Sequence, residues 1–307
     1  FGKTPVSPMI HPLLQTYGPF DGWMILLLIA SVSIGFFTYQ VQKATRLVLI
    51  GTPDSRFDSW GPRIKEFIVG WLGQKKVLRD RVAGTMHVLM FWGFLMLASD
   101  MFDLATANYF SGELLPELVV GPWNGMVELG YTMALIGCVS ALVRRVAFTP
   151  EKLKGKSQLE GNAILLLIFT ITTTSFMIES KEDPSPFWEP IGYQFSEFGL
   201  ADRTVVVSYW LHMLAISVFL FLIPLSKHMH LVMAVPNVFF HDTGPAAKMR
   251  PLAMGDDGKA VPLEDLDIDS FGVSSYTQYT WRQLIDGWSC TSCARCQDVC
   301  PAYASGK

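Results

Sequence analysis

Five long apolar stretches alternate with polar connections along the chain of 307 residues. They are residues 23–50, 82–106, 122–146, 162–177 and 203–233. A hydrocarbon core about 30 Å thick needs roughly 20 helical residues to cross it. Only helices and closed barrels satisfy the backbone in a bilayer, and these stretches lack the two-residue alternation of barrel strands. The pattern therefore predicts an all-α membrane protein with a bundle of five transmembrane helices.

The composition supports a membrane protein and excludes one class of partner. Half of the residues are apolar and 17% are charged, against about 25% charged residues in soluble domains. The net charge is −3, and the basic residues lie in separate clusters, so no basic face for nucleic acid is present. The first apolar stretch is too long for a secretory signal and has no small-residue cleavage site, so we interpret it as a true span.

The polar connections differ in their content of Lys and Arg. Nine such residues lie between 43 and 81, and five lie between 144 and 156. The connection 108–121 has none, and the connection 179–202 has only Lys181. Loops rich in Lys and Arg face the cytoplasm. The pattern predicts a multi-pass protein of the prokaryotic cytoplasmic membrane, with the N-terminus outside and everything after residue 233 in the cytoplasm.

Two segments outside the spans have distinct patterns. Residues 63–72 alternate basic and apolar side chains at helical spacing, which suits a helix lying in the cytoplasmic membrane interface. After residue 236 the chain becomes polar and rich in Pro, Gly and acids. We therefore predict a membrane domain over 1–235, a cytoplasmic linker over 236–280 and a metal-binding segment over 281–307.

Four of the five cysteines lie within eleven positions of one another, at Cys290, Cys293, Cys296 and Cys300, and Pro301 follows. This spacing is typical of the [4Fe–4S] ligands of bacterial ferredoxins. A zinc site would usually pair two Cys-x-x-Cys halves across a longer gap. In two-cluster ferredoxins the fourth cysteine serves the other cluster, so either a further thiolate comes from elsewhere or Cys300 closes the first cluster. The prediction is that residues 281–307 form the start of a ferredoxin-like domain with one or two [4Fe–4S] clusters.

Histidines at membrane depth are the second candidate chemistry, because ionisable residues there are rare and usually functional. In one continuous helix, His212 and His230 are five turns and about 27 Å apart and point the same way. His87 matches His230 in depth on the second span. Imidazoles from two neighbouring helices can clamp one haem iron. We predict His87 and His230 as that ligand pair.

The segment from His212 to His230, with its Pro224-Leu-Ser-Lys stretch, resembles the last helix of the nitrate reductase gamma subunit. That subunit is a five-helix dihaem cytochrome b, and the sequence around His87 resembles its second helix. The resemblance implies that His87 and His230 hold a cytoplasmic-side haem b. It departs at Leu97, where the family has a further histidine.

His212 consequently has no histidine partner on another span, and three roles stay open for it. It could ligate a second, outer haem with His11 or Met101, contact a quinone headgroup, or make a structural hydrogen bond. Glu128 and Asp100 are candidates for exchanging quinone protons with the outside. For Asp100, as for Asp103 and Glu179, interfacial solvation is the alternative, whereas Glu128 lies within apolar sequence.

The stretches 261–272 and 279–286, followed by the cysteines, are similar to fused membrane iron–sulfur oxidoreductases related to heterodisulfide reductase. In that family a nitrate-reductase-gamma-like domain precedes a two-cluster ferredoxin domain and cysteine-rich repeats. The resemblance implies membrane lipid and menaquinone as partners, a cytoplasmic electron-transfer protein, often electron-transfer flavoprotein, and a remaining C-terminal iron–sulfur domain or subunit.

The resulting expectation is a quinone-linked oxidoreductase. Electrons would pass between a cytoplasmic partner and menaquinone through [4Fe–4S] clusters and haem b, with the redox chemistry supplied by the cofactors. Two alternatives remain at this point. One is a quinone oxidoreductase linked to heterodisulfide or sulfur metabolism, and the other is a non-catalytic cytochrome b anchor of a larger respiratory complex.

Overall fold

The computed structural model describes residues 11–110, 117–148, 156–181, 184–244, 261–265, 273 and 275–306. Within these residues a short antiparallel hairpin pairs β1 (Thr16–Tyr17) with β2 (Phe20–Asp21), and Gly18 takes a φ of +66° in its turn. All other regular elements are helical. The α-helices are α1 (Gly22–Leu49), α2 (Trp60–Glu66), α3 (Arg81–Phe110), α4 (Glu117–Ala147), α5 (Lys156–Glu179), α6 (Pro190–Glu197), α7 (Asp202–Leu222), α8 (His230–Phe239), α9 (Trp281–Ser289), α10 (Arg295–Asp298) and α11 (Pro301–Ala304).

Five of these helices are long and apolar enough to cross a membrane, namely α1, α3, α4, α5 and α7. They correspond to the five predicted stretches, and the ends of the first four helices lie within six residues of the predicted ends. The all-α membrane fold predicted from the sequence is therefore confirmed at this level. The predicted interfacial segment is helical as well, because a π-helix (Phe67–Leu72) directly continues α2.

The fifth stretch differs from its prediction. It ends as an α-helix at Leu222 and is followed by two 3₁₀ turns, Ile223–Leu225 and Lys227–Met229, before α8 begins at His230. Pro224 has no N–H and disfavours helical backbone in the residue before it. The prediction of one continuous helix over 203–233 is therefore wrong, and the five-turn argument that aligned His212 with His230 loses its basis.

The described chain divides into two compact units that alternate along the sequence. Unit 1 comprises Phe1–Phe37 and Lys76–Leu222, and unit 2 comprises Thr38–Lys75 and Ile223–Lys307. These units do not coincide with the predicted segments 1–235, 236–280 and 281–307, because those segments are defined by their expected functions. That functional division stays a prediction.

In unit 1, α4 packs against α3 and α5, and α5 packs against α7. The contact between α3 and α4 is a close approach of backbones, since a Cβ placed on Gly93 would lie 2.8 Å from the Gly130 carbonyl oxygen. Ala134 is fully buried at the same place. Small residues allow such approaches between membrane helices, where no hydrophobic driving force separates protein from lipid.

In unit 2, the end of α1 packs with α8 and α9. Their shared core consists of five buried side chains, Ala44, Val48, Met229, Met233 and Ile285. Residues distant in sequence thus form one compact body around the helix that begins at His230. The hydrophobic face of α9 explains its docking, because Ile285 is buried while the polar side chains on the other side of this helix remain accessible.

Candidate metal-binding site

Helix α9 leads directly into the cysteine run, and its start is well defined. The Thr280 hydroxyl accepts a hydrogen bond from the Gln283 N–H (3.2 Å), and the Gln283 side chain accepts one from the Thr280 N–H (2.9 Å). This reciprocal capping satisfies two N–H groups that a helix start otherwise leaves without partners. The helix therefore begins at Trp281 and delivers its last residue, Ser289, immediately before Cys290.

The residues just before α9 pair with the loop that follows α1. The Thr52 N–H donates to the Tyr279 carbonyl (2.8 Å), and the Trp281 N–H donates to the Thr52 carbonyl (3.1 Å). A Cβ on Gly51 would lie 2.6 Å from the Trp281 nitrogen, so only glycine fits this approach. The Trp281 indole N–H also donates to the Asp54 carbonyl (2.9 Å). These bonds hold the start of α9 against the end of a membrane helix.

The other end of α9 is fastened to α8. The Ser289 hydroxyl lies 3.0 Å from the Met233 carbonyl oxygen on α8 and equally 3.0 Å from the Ile285 carbonyl oxygen within α9, and it donates to these two acceptors. Midway along, Asn237 and Arg282 both donate to the Asp286 carboxylate, each at 2.7 Å. Because Met233 lies three residues beyond His230, the first cysteine follows a residue that is bonded to the first turn of the His230 helix.

The cysteine loop has accessible thiols and an unusual backbone. Cys290, Cys293 and Cys296 are exposed, Cys300 is half-buried, and none of them forms a disulfide. Ser292 and Ala294 have φ angles of +53° and +60°, a region that side chains other than glycine rarely occupy. The loop therefore turns sharply on either side of Cys293. Pro301 starts α11 at a position where a missing N–H costs nothing.

Within the described residues, no three His, Cys, Asp or Glu side chains converge as a ready-made metal site. The four thiols fit an iron–sulfur cluster by their chemistry and spacing, because thiolates are the ligands that such clusters require. Metal ligands rarely hold their final positions before the metal binds, since binding and local folding are coupled. The four cysteines thus have the donor chemistry of such a site, and both their ligation of a cluster and their convergence stay predictions.

His230 is arranged like a metal ligand. Its Nδ1 lies 2.8 Å from the Lys227 carbonyl oxygen, and a carbonyl can only accept, so Nδ1 carries the proton and Nε2 keeps its lone pair. Ligating histidines usually donate their other ring N–H in this way. Burial lowers the pKa of His230 against the opposing effect of this bond, which favours the neutral imidazole that ligation needs. The side chain therefore fits the predicted haem.

His87, the other predicted haem ligand, lies on α3 and is half-buried. Its ring is nearly parallel to that of Phe91 one turn further on, with centroids 6.5 Å apart. His87 belongs to unit 1 and His230 to unit 2. Each imidazole fits the chemistry of haem ligation, and their pairing on one iron stays a prediction.

His212 makes the structural hydrogen bond that was one of its three predicted roles. Its Nδ1 lies 3.1 Å from the Ile171 carbonyl oxygen and 3.0 Å from the Thr174 hydroxyl, both on α5. The ring is buried between α5 and α7. This bond fixes the proton on Nδ1 and leaves the lone pair on Nε2, so the outer-haem and quinone roles of His212 stay predictions. His11 and Met101 were the predicted partners of His212 on an outer haem. The ring of His11 packs against Tyr209, with centroids 5.3 Å apart, and the side chain of Met101 lies outside the described residues.

Glu128 binds the start of a helix that sequence reasoning missed. Its two carboxylate oxygens accept from the N–H groups of Ile191 (3.0 Å) and Gly192 (2.9 Å) in the first turn of α6. The residue is 3% exposed. A carboxylate at this position is stabilised by the exposed N–H groups and the helix dipole. Pro190 at the first helical position was the available signal for α6. The side chains of Asp100 and Asp103 lie outside the described residues.

Two known proteins that resemble nearly the whole chain are both named as oxidoreductases. The chain is 25% identical to the probable iron-sulfur-binding oxidoreductase FadF of Bacillus subtilis (strain 168), over 92% of this chain and 40% of that protein. It is 27% identical to the EtfAB:quinone oxidoreductase of Syntrophomonas wolfei, over 94% of this chain and 42% of that protein. The chain spans about two fifths of the length of these two relatives.

A shorter match concerns a third protein. Over 57 residues, or 17% of this chain and 8% of the relative, the chain is 39% identical to a probable membrane-anchored ferredoxin of Chromohalobacter salexigens. No family model and no solved structure matches the chain. The similarities support, at a coarse level, a relative of membrane-associated iron–sulfur oxidoreductases.

Proposed function

We propose that this chain is the membrane part of a quinone-linked oxidoreductase that exchanges electrons between electron-transfer flavoprotein and menaquinone. Iron–sulfur clusters bound by Cys290, Cys293, Cys296 and Cys300, and a haem b bound by His87 and His230, would connect the two partners. The printed names of the two long relatives support the iron–sulfur, quinone and flavoprotein elements of this proposal. The helices long enough to span a membrane support its location.

The observation that carries the proposal is that Ser289, directly before Cys290, lies against the first turn of the His230 helix, with its hydroxyl 3.0 Å from the Met233 carbonyl oxygen. One covalent step on the α9 side leads to Cys290, and one helical turn on the α8 side leads back to His230. Electron transfer slows steeply with distance. The packing of the two kinds of ligand-bearing segment inside one compact unit therefore supports a path from cluster to haem.

The chain's own residues have defined tasks in this proposal. The cysteines provide thiolates, and Cys300 either closes the first cluster or serves a second cluster with ligands from the remaining iron–sulfur domain. His230 presents Nε2 because Lys227 holds its Nδ1 proton. When bound, the clusters and the haem supply one-electron chemistry at potentials set by these ligands and their burial.

The proposed orientation places unit 2, with the cysteines and His230, on the cytoplasmic side. The Lys and Arg content of the connections supports this orientation, and so does the reducing compartment that keeps thiols available. Electron-transfer flavoprotein would then meet the iron–sulfur end, and menaquinone would react from within the membrane.

Three measurements on the purified chain test the proposal. Iron and haem per polypeptide give the cofactor content. A menaquinol analogue added under anaerobic conditions should reduce the haem, which the change in the haem absorbance spectrum would show. His230→Ala should lose the haem while keeping the non-haem iron of the clusters, whereas His241→Gln, in the same unit, should keep both. A protein without haem would contradict the proposal. Haem that dithionite reduces but quinol does not would favour a non-catalytic cytochrome b anchor instead.

A further inference from the structure

The segment 60–72, which comprises α2 and the π-helix after it, has two different faces. On its inner face Arg63 is only 2% exposed, and Phe67 packs its ring against Phe239 of α8 at 5.9 Å. On its outer face Ile64 and Ile68 are 47% and 51% exposed, and Trp60, four residues before Ile64, remains 52% exposed although one side of its ring packs against Phe239 at 5.7 Å. Residues four apart lie on the same side of a helix, so this outer face is a continuous apolar strip.

The inner face fixes the segment to the helix that begins at His230. The Arg63 guanidinium donates to the carbonyl oxygens of Phe239 (3.3 Å) and His241 (2.7 Å) at the end of α8. It also donates to the backbone carbonyl and the carboxylate of Asp58, at 2.7 and 2.8 Å. A segment held so firmly does not expose its apolar strip through loose packing. The strip is a surface that needs a partner.

The charge around the strip indicates what that partner is. Residues 38–75 of unit 2 contain six basic and three acidic residues, although the whole chain has a net charge of −3. Lys65, next to Ile64 in sequence, and Lys75, three residues after the segment ends, are exposed, whereas Asp58 is bonded to Arg63. The same unit contains the end of the membrane helix α1. The strip therefore combines apolar side chains, a tryptophan and lysines close to where a membrane helix ends.

We propose that the outer face of segment 60–72 binds anionic phospholipid, with Trp60, Ile64 and Ile68 among the acyl chains and Lys65 and Lys75 at the headgroups. Tryptophan favours this depth because its ring is apolar and its N–H polar. Lysines near an anionic leaflet add attraction that a zwitterionic lipid does not give. Through Arg63, the bound lipid surface also supports the end of α8. This inference does not depend on the proposed redox function.

The first test asks whether Trp60 is in lipid. The full chain is placed in nanodiscs containing brominated phospholipids, which quench nearby tryptophans, and wild type is compared with Trp60→Phe. The quenched fraction should fall in Trp60→Phe. The control is Trp288→Phe, which changes a tryptophan packed against the core of the same unit and should not lower the quenched fraction. Equal quenching in wild type and Trp60→Phe would overturn the proposal, because water or a protein would then cover the strip.

The second test asks about the headgroup. Trp60 quenching is measured with brominated phosphatidylglycerol and with brominated phosphatidylcholine at equal content. The wild type should favour the anionic lipid, and Lys65→Gln and Lys75→Gln should each reduce that preference by roughly fivefold. Both lysines are exposed, so these variants keep the fold. Equal quenching by the two lipids in the wild type would overturn the anionic assignment.

Discussion

Helices α6 and α8 both depend on a buried charged side chain from another element, but at opposite ends. In unit 1, Glu128 accepts two N–H groups at the start of α6. In unit 2, Arg63 donates to two carbonyls at the end of α8, and Arg282 donates to a third, that of Phe240. Each charge meets the helix end that its sign favours. The difference is that α8 has two arginines and α6 has one carboxylate.

This difference matches the surroundings of the two helices. Glu128 comes from a membrane helix, where each additional polar group is costly, so one residue has to suffice. In unit 2, polar side chains from different chain segments are within reach of α8, and several of them form hydrogen bonds to its end. Unit 1 instead gains its stability from close backbone contacts such as that of Gly93 with Gly130. The two units are thus stabilised by different means, and substitutions should separate them.

The largest effect is expected from Arg63→Met. This change removes a buried guanidinium and leaves the partly buried carbonyls of Phe239 and His241 without their donor, which should lower the free energy of unfolding by about 3 kcal/mol. Thermal unfolding in detergent and limited proteolysis near α8 would measure it. Arg46→Met, at an exposed position of α1, is the matched control. A melting temperature equal to that of the control would show that Arg63 does not secure α8.

A smaller loss is expected from Gly130→Leu in unit 1. Its Cβ would lie 2.8 Å from the Met96 Cβ, and such overpacking should destabilise the protein by about 2 kcal/mol. Gly35→Leu is the control, because no atom lies within 4 Å of the position of its Cβ. Melting temperatures of both variants test the contrast. Similar values would mean that α3 and α4 do not rely on backbone contact.

Glu128→Gln should cost about 1.5 kcal/mol, because the amide keeps one acceptor oxygen but turns an NH₂ group toward a backbone N–H. Glu189→Gln is the control. That carboxylate accepts from the Asn124 side chain and the Ser185 N–H at 3.3 Å, which are longer bonds. Hydrogen exchange of the Ile191 and Gly192 amides should accelerate in Glu128→Gln. Unchanged protection there would contradict the capping role.

The smallest effect concerns pH. The hydrogen bond from Arg63 lowers the pKa of the exposed Asp58 carboxylate. A lowered pKa in the folded state means that this contribution is present above the ordinary pKa of an aspartate and is lost as the pH falls through the lowered value. Infrared titration of the carboxylate should show the pKa return toward its ordinary range in Arg63→Met. An identical titration in both proteins would show that the bond does not persist in solution.

Much of this fold was accessible from the sequence, and the failures have physical reasons. Helix length and apolar content depend on local composition, so the existence of five spans and the helical structure of residues 63–72 were predicted correctly. The fifth span was predicted too long because Pro224 was weighed less than the apolar residues around it. Helix α6 was missed because its start is secured by Glu128, 63 residues away in sequence. The cysteine spacing gave the donor set without any tertiary information.

The sequence by itself determined which residues can enter a membrane and which can bind metal, because hydrophobicity and ligand type belong to single residues and their spacing. Tertiary structure decided what each polar group does. It bonds His212 to α5, assigns Glu128 to a helix start, and buries Arg63 beneath an apolar strip. A buried polar side chain must find a partner, and only the packing of distant segments determines which partner is within reach.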